Sequence, residues 1–156
     1  KEADASAVTR EQVEAEMKKL TGDIFQTPPM VSAVKVDGVP LYKRARRGEV
    51  VERKARLIHI YEFSITEFTP PRVSFVLNCT KGTYVRTLCA DIGEKLGCGA
   101  FLETLRRTRS GSLTIDQALS LDEIMGLDLP QLCGRMIPVS RFSAAHGGAS
   151  ASPAQP

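Results

Sequence analysis

Hydrophobic residues recur at helical spacing in two segments of the chain. In the first, Val13, Met17 and Leu20 fall on one helical face, with Thr9 as the predicted N-cap and Gln12 at the capping-box position. Gly22 is predicted to end this helix. In the second, the residues at spacings i, i+3, i+4, i+7 and i+11 are Val85, Leu88, Cys89, Ile92 and Leu96, and Gly97 follows. The pattern predicts two amphipathic helices.

Between these helices, hydrophobic and polar residues alternate in two runs separated by Pro70-Pro71. The residues predicted to share one face of the first run are Leu57, His59, Tyr61, Phe63 and Ile65. Those of the second run are Val73, Phe75, Leu77 and Cys79. A period of two predicts strands, and the short connection predicts that they pair antiparallel. Upstream, Asp37-Gly38 is a turn signal that also fits a hairpin.

The rest of the chain gives shorter signals. Residues 41–47 predict a short, strongly basic helix closed by Gly48, while residues 101–109 fit either a strand or a helix. Ser120 is predicted to open a short final helix with Glu123 at the capping-box position. Together the elements predict an α+β domain, a mostly antiparallel sheet with packed helices, over residues 1–142. Residues 143–156, rich in Ala, Gly, Ser and Pro, are expected to form a disordered tail.

Composition limits the class of protein more than it identifies a function. The chain has 156 residues, 25% of them charged, and a net charge of +3. No apolar run approaches the roughly 20 residues of a spanning helix, so a membrane role is disfavoured. The basic residues concentrate in residues 43–47, 53–56 and 106–109. A charge run is more often a solvated face than a binding site, so these runs alone do not predict a nucleic-acid partner.

The residues with reactive side chains exclude several kinds of site. The four cysteines form no C-x-x-C pair, which favours reduced thiols in a cytoplasmic protein over disulfides or zinc. His59 lies on an alternating strand, where a lone histidine is usually structural. No Walker loop, dinucleotide fingerprint or metal-ligand cluster occurs in the sequence. We therefore expect no metal and no cofactor.

The densest motif is Lys-Gly-Thr-Tyr-Val-Arg-Thr at residues 81–87, followed by residues 97–100 (Gly-Cys-Gly-Ala) and by Leu105-Arg106-Arg107. It places a phenol, a guanidinium and an apolar side chain around one strand-to-helix junction, the groups needed to hold a flipped base beside a carboxylate. If the backbone is extended at Arg86, Tyr84 and Arg86 share a side. If the helix has begun, they diverge by about 200°.

Together with Gln-Thr-Pro-Pro-Met-Val-Ser-Ala-Val-Lys at residues 26–35, this motif resembles the TruB family of tRNA pseudouridine synthases over roughly residues 20–121. The resemblance implies an enzyme that isomerises uridine to pseudouridine in the tRNA T-arm, usually at position 55, without metal or cofactor. It also implies that Arg86 pairs with the catalytic aspartate, that Tyr84 acts in the pocket on the base, and that Leu105 contacts the target uridine.

The same resemblance implies an RNA-contacting insertion at about residues 24–56. The side chains expected to bind RNA, in this insertion and beyond it, are those of Gln26, Pro28, Pro29, Ser32, Lys35, Lys43, Arg44, Arg46, Arg47, Lys81, Arg106 and Arg107. The expected partner is the T-arm of tRNA, and the full-length protein is expected to be a monomer.

Two parts of the family pattern are missing from this sequence. The family's nucleophilic aspartate lies in a Gly-Thr-Leu-Asp-Pro-type motif, which does not occur here, and a PUA-type C-terminal domain is also absent. The chain begins with Lys rather than Met. These observations predict a C-terminal portion of the catalytic domain that is inactive alone. The alternatives are a non-catalytic tRNA-binding or folding module and a basic adaptor without an RNA role.

Overall fold

The computed structural model describes residues 3–138. These residues divide between Thr104 and Leu105 into two compact units. The elements of the first unit are α1 (Arg10–Lys19), β1 (Gly22–Gln26), β2 (Lys35–Val36), β3 (Val39–Pro40), α2 (Leu41–Arg46), β4 (Arg56–Thr69), β5 (Arg72–Cys79) and α3 (Val85–Lys95). Those of the second unit are β6 (Arg109–Ser110), β7 (Leu113–Thr114), α4 (Leu121–Met125) and α5 (Leu129–Arg135), with a 3-10 turn at Ile115–Gln117. The predicted tail at 143–156 lies outside the described residues.

The first helix has the predicted start and an earlier end. The Thr9 hydroxyl accepts from the Gln12 N–H, and the Gln12 side chain accepts from the Thr9 N–H, so the capping box is confirmed. The prediction that Gly22 ends the helix is wrong, because α1 stops at Lys19 and Leu20 is its C-cap. Gly22 instead begins β1 with a φ of +94°, a conformation that favours glycine.

The main sheet has three antiparallel strands in the order β1-β4-β5, which confirms the predicted α+β class. The β4–β5 hairpin turns at Pro70-Pro71, with Thr69 opposite Arg72, as predicted. Strand β1 was not predicted, and it covers the other edge of β4, pairing Gly22 with Ile60 and Gln26 with Arg56. Gly and Asp are poor strand formers, so the first two residues of β1 carry little local signal.

The prediction that Leu57, His59, Tyr61, Phe63 and Ile65 share one face of β4 is wrong. Leu57 and Tyr61 are exposed, whereas Ile58 and Ile60 are buried. The β4–β5 register shifts between Ile60 and Glu62, which marks a β-bulge. A bulge adds one residue to one strand and reverses its alternation, so a single period does not describe β4.

Strand β5 pairs with β4 along its whole length, and its residues show how the bulges of β4 affect this pairing. Its inward residues alternate without interruption, and their partners on β4 are Phe68, Ile65, Phe63 and Ile60, opposite Val73, Phe75, Leu77 and Cys79 respectively. A second shift between Ile65 and Glu67 brings Phe68 into this set. The two bulges therefore keep one face of an irregular strand aligned with a regular neighbour.

The core of the first unit forms where α1 and α3 pack with the sheet. Its buried cluster consists of Val13, Met17, Ile65 and Ile92, from α1, β4 and α3. Phe63 and Phe75 flank this cluster in an edge-to-face pair with ring centroids 5.2 Å apart. The helical spacings that predicted α1 and α3 therefore mark their buried faces correctly.

The segment between β1 and β4 contains the predicted small hairpin and basic helix. Asp37 and Gly38 have φ values of 52° and 78°, which is the type I′ geometry of a two-residue turn between β2 and β3. The N–H of Leu41 donates to Val34 O at 2.8 Å, and that of Tyr42 donates to Ser32 O at 3.0 Å. These bonds attach α2 to the loop before the hairpin, and the Leu41 side chain is fully buried.

In the second unit, α4 begins as predicted, with Ser120 and Glu123 forming a capping box. It is not the final helix, because α5 follows with its own capping box between Asp128 and Gln131. Residues 101–108, for which strand and helix were both open, are in neither, and a short strand begins only at Arg109.

Candidate active site

The predicted strand-to-helix junction forms at Tyr84. This residue is the N-cap of α3 and is extended, with φ −99° and ψ 98°. Its carbonyl accepts the first helical hydrogen bonds, from the N–H groups of Thr87 at 3.0 Å and Leu88 at 3.2 Å. The chain reaches this position through a turn in which Gly82 has a φ of +86° and the Thr83 hydroxyl donates to Thr80 O. Tyr84 is half-buried at the end of this turn.

Arg86 already lies inside the helix, which decides between the two geometries left open by the sequence. It is exposed, and its Nη2 donates to the carbonyl oxygen of Val31 at 3.0 Å. A guanidinium carries five N–H donors, so this bond leaves donors for another group. The contact links the start of α3 to the loop that follows β1.

Gln26 connects the same two segments through its side chain. Its Oε1 accepts from the backbone N–H of Tyr84 at 2.7 Å, and its Nε2 donates to the Tyr84 carbonyl at 3.1 Å. Gln26 is only 5% exposed, and both ends of its carboxamide are occupied. Its predicted RNA contact stays a prediction, and the partner seen in the structure is Tyr84.

Internal contacts hold the loop and the basic helix in place. Arg53 donates from Nη1 to Pro28 O at 3.0 Å, and Arg44 donates from Nη2 to Val36 O at 3.1 Å and reaches Asp37 at 3.3 Å. The Arg46 guanidinium lies over the Tyr42 ring, 5.5 Å from its centroid. Arg47 Nη1 lies 3.8 Å from Glu49 Oε1. Three of the predicted RNA-binding arginines, Arg44, Arg46 and Arg47, therefore also have partners within the protein.

The other predicted RNA-binding residues of the first unit differ in accessibility. The exposed ones are Lys35, Lys43, Arg46, Arg47 and Lys81. Pro29 and Arg44 are half-buried, and Pro28 and Ser32 are buried like Gln26. The Ser32 hydroxyl has no hydrogen-bond partner among the described residues. Cationic side chains therefore make up most of the accessible part of the set.

A cavity of about 250 Å³ lies beside the small hairpin. Its charged lining residues are Lys35, Arg53, Lys54, Arg56 and Glu52, and its apolar ones are Pro28, Val34, Val36 and Leu41. The sequence showed the basic run at residues 53–56 but did not bring it together with Lys35. Four cationic residues and one acidic residue give the lining a net positive formal charge. Its chemistry suits a phosphate group, which supplies most of the affinity in nucleic-acid binding.

Leu105, Arg106 and Arg107 belong to the second compact unit, and all three side chains are exposed, Leu105 by 62%.

Among residues 3–138, no group of three or more His, Cys, Asp or Glu side chains is placed to hold a metal ion. No helix in the described part of the chain is long and apolar enough to cross a membrane.

Two titratable groups of α3 have shifted pKa values, both because of burial. The pKa of the Cys89 thiol is raised by desolvation. The pKa of Asp91 is also raised, chiefly by desolvation and further by the neighbouring Glu94 charge, against the opposing effect of Lys95.

On the sheet, His59 Nδ1 lies 2.6 Å from Asp23 Oδ1, so the lone histidine does have a carboxylate partner.

Comparison with known families assigns the chain. Residues 1–85 match the N-terminal domain of the TruB family pseudouridylate synthases. The chain belongs to this family. Residues 86–131 match the tRNA pseudouridylate synthase B C-terminal domain, so the boundary between the two matches falls between Tyr84 and Arg86. The resemblance noted from the motifs is thereby confirmed.

Comparison with individual relatives supports the same family assignment. The chain is 52% identical to tRNA pseudouridine synthase B of Opitutus terrae over 131 residues, covering 84% of this chain and 54% of that protein. It is 49% identical to the same-named protein of Pseudomonas paraeruginosa over 117 residues, covering 75% of this chain and 38% of that one. The chain thus spans about half the length of these relatives or less.

A solved structure is similar in fold. A chain in the crystal structure of a Cbf5-Nop10-Gar1 complex matches with a TM-score of 0.68 and 26% identity. The match covers 90% of this chain and 40% of the other.

Proposed function

We propose that this protein is a tRNA pseudouridine synthase that isomerises uridine to pseudouridine in the T-arm, with position 55 as the expected target. The observation that supports this most is the presence of Tyr84 at the N-cap of α3 and of Arg86 in its first turn, in a chain of the TruB family. Tyr84 is half-buried there, while the Arg86 guanidinium is exposed and has donors to spare.

The proposed reaction begins with a carboxylate that attacks the nucleoside, so that the bond from the sugar to the uracil nitrogen breaks. The uracil rotates and bonds to the sugar through a ring carbon as the carboxylate leaves, and the proton on that carbon is then lost to a base. In this scheme Arg86 holds the carboxylate ionised and oriented through charge-assisted hydrogen bonds. Tyr84 stacks on the extruded base and offers its hydroxyl for hydrogen bonding or proton transfer. Leu105 contacts the target uridine. Neither metal nor cofactor takes part.

The proposed RNA surface comprises the predicted cations of the insertion together with Lys81, Arg106 and Arg107. Arg53, Lys54 and Arg56 join it, because they share a cavity with Lys35. Phosphate contacts provide affinity without reading sequence, so these residues would hold the T-arm while Tyr84 and Leu105 act on one base. We further infer that the full-length protein is a cytoplasmic monomer.

The nucleophile divides the proposed function into two tests. The 156-residue chain has no Gly-Thr-Leu-Asp-Pro motif, so we propose that residues 1–142 act as a C-terminal portion of the catalytic domain. The purified chain should form no pseudouridine in an unmodified tRNA transcript, because positioning does not replace a covalent nucleophile. The protein from the complete open reading frame should convert it. Turnover by the isolated chain would contradict the domain assignment, and tRNA binding without turnover by either protein would favour a non-catalytic binding module.

Substitutions of Tyr84 test the pocket itself. In the full-length protein, Tyr84→Ala should strongly lower the single-turnover rate. This factor should be far larger than the factor by which Tyr84→Phe weakens the tRNA affinity. Stacking on a base contributes about 1–3 kcal/mol, whereas phosphate contacts supply most of the binding. The rate is followed by pseudouridine formation and the affinity by filter binding. An unchanged rate for Tyr84→Ala would remove Tyr84 from the pocket.

A further inference from the structure

The Gln26 carboxamide pairs with Tyr84 as a neighbouring strand would. Tyr84 is extended, and Gln26 satisfies both its N–H and its C=O, at 2.7 and 3.1 Å. Such a two-point contact fixes the peptide plane as well as the position of the residue. Because the ring direction follows from the backbone at Cα, holding the plane restricts where the phenol can point.

The Gln26 side chain is buried, so it depends on Tyr84 for its hydrogen bonds. Gln26 is the last residue of β1, opposite Arg56 in the sheet, and it is 5% exposed. A buried amide is costly unless both its donor and its acceptor are satisfied, and here Tyr84 satisfies both. The sheet therefore holds one end of the contact, and the start of α3 provides the other.

A second contact joins the same loop to Arg86. Five residues after Gln26, the Val31 carbonyl accepts from Arg86 Nη2 at 3.0 Å. Between these points Pro28 and Pro29 stiffen the chain, and Arg53 donates to Pro28 O at 3.0 Å. The loop at residues 26–31 thus holds Tyr84 by a side chain and Arg86 by a backbone carbonyl.

We propose that Gln26 is a positioning residue for the reaction, acting through Tyr84 and not by touching RNA. The loop at residues 26–31 then joins the RNA-binding insertion to the pocket, so that the same segment sets the geometry of Tyr84 and Arg86. This inference rests on the proposed function. It assigns Gln26 a different role from the RNA contact expected from the sequence.

A double-mutant cycle in the full-length protein tests the proposal. Gln26→Met keeps the length of the side chain and removes both hydrogen bonds. It should lower the single-turnover rate about 10–100-fold, the effect of misplacing a reacting group by around 1 Å. In a Tyr84→Ala background the same substitution should change the rate less than about threefold, because the group it positions is gone. The tRNA Kd should stay within about twofold in both backgrounds.

Gln12→Met is the matched control. Gln12 also bonds a backbone N–H, that of Thr9, but does so on an exposed helix start. This variant should leave the rate unchanged. Rates are normalised to the folded fraction from circular dichroism. Gln26→Glu serves as a second variant that keeps the acceptor for the Tyr84 N–H and loses the donor, and it should also slow the reaction.

The outcomes separate the two proposals. If wild-type full-length protein forms no pseudouridine, the proposed function fails and the positioning role fails with it. If the wild type is active and Gln26→Met lowers the rate by equal factors in both backgrounds, Gln26 acts only on the fold. If the rate is unchanged and the Kd rises, Gln26 contacts RNA. Either result with an active wild type would overturn the positioning role alone.

Discussion

The Arg86 guanidinium donates to the Val31 carbonyl oxygen at 3.0 Å, across 55 residues of sequence. A guanidinium is planar, so one such bond restricts the directions open to its remaining N–H groups. The contact therefore orients an exposed side chain that would otherwise sample several rotamers.

Arg86→Lys in the full-length protein should lower the rate of the chemical step strongly, with little change in tRNA affinity. Lysine keeps the charge but loses the planar fork that is proposed to hold both Val31 and a carboxylate. Single-turnover rate and tRNA Kd on this one variant measure the two effects separately.

Arg10→Lys provides the comparison. Arg10 also donates to a backbone carbonyl, that of Ile65 at 3.4 Å, and pairs with Glu14 on the helix surface. This variant should keep the wild-type rate and stability within about 0.5 kcal/mol. A near wild-type rate for Arg86→Lys, or a loss confined to affinity with a smaller salt dependence, would remove Arg86 from the active site.

The exposed cations of α2 and its C-cap should contribute to tRNA binding through phosphate charges. Replacing Lys43 and Arg47 together by glutamine should weaken the affinity and reduce the slope of log Kd against log salt by about 0.7–0.9 for each phosphate that is no longer neutralised. The pair Lys18→Gln and Lys19→Gln on α1 removes the same charge and should leave the slope unchanged. Equal effects of the two pairs would mean that net charge, and not a site on α2, determines binding.

Gly93 on α3 should tolerate no side chain. A β-carbon there would lie 2.6 Å from Ala100 Cβ and closer still to the backbone of Gly99 and Ala100. The N–H of Gly99 donates to Gly93 O at 2.8 Å, so the loop cannot move away freely. Gly93→Ala should therefore cost about 1–3 kcal/mol or more of the free energy of unfolding.

Gly134 in α5 is the control for this test, because a β-carbon there meets no atom within 4 Å. Gly134→Ala should be neutral or stabilise by up to about 1 kcal/mol, from helix propensity alone. Urea unfolding of both variants gives the comparison, with the m-value as the test of cooperativity. Equal stability of the two would show that α3 and the loop after it are not in contact.

Asp91 predicts a pH dependence of stability. Its folded-state pKa is raised, chiefly by burial, so its contribution to stability is complete below the unfolded pKa and is lost as the pH rises through the folded pKa. Asp91→Asn should therefore raise stability at neutral pH. The gain should shrink as the pH falls towards about 4, where the unfolded carboxyl also binds its proton. Thermal melts across this range measure it.

Glu123→Gln should show the opposite sign. The Ser120 hydroxyl, and then its N–H, lower the pKa of Glu123, so its contribution is present above the unfolded pKa and is lost in acid. This substitution should lower stability at neutral pH and have little effect in acid. Matching profiles for the two variants would contradict both assignments.

Signals local in sequence predicted most of the elements. Two helix starts were predicted from capping boxes, which are contacts between near neighbours in sequence: Thr9 with Gln12, and Ser120 with Glu123. Asp37-Gly38 announced a turn for the same reason. In contrast, β1 was missed because its strand character comes from pairing with β4, which lies about thirty residues or more away.

In the candidate site, too, the local motif was predictable from the sequence and the long-range contacts were not. The motif identified Tyr84 and Arg86 as candidates, but the groups that hold them come from the end of β1 and the loop after it. The contacts of Gln26 and Val31 span 58 and 55 residues, and no periodicity or spacing contains such information. The grouping of Lys35 with Arg53, Lys54 and Arg56 around one cavity was hidden for the same reason.

The bulges of β4 have a consequence for how the hairpin can change in length. Removing one residue from a regular strand turns every later side chain to the opposite face. At a bulge the extra residue is unpaired, so its loss would flatten the strand and leave Phe63, Ile65 and Phe68 opposite their partners on β5. Length differences between relatives within this hairpin are therefore expected at residues 61–62 and 66–67, the two places where evolution can delete a residue without turning the core outwards.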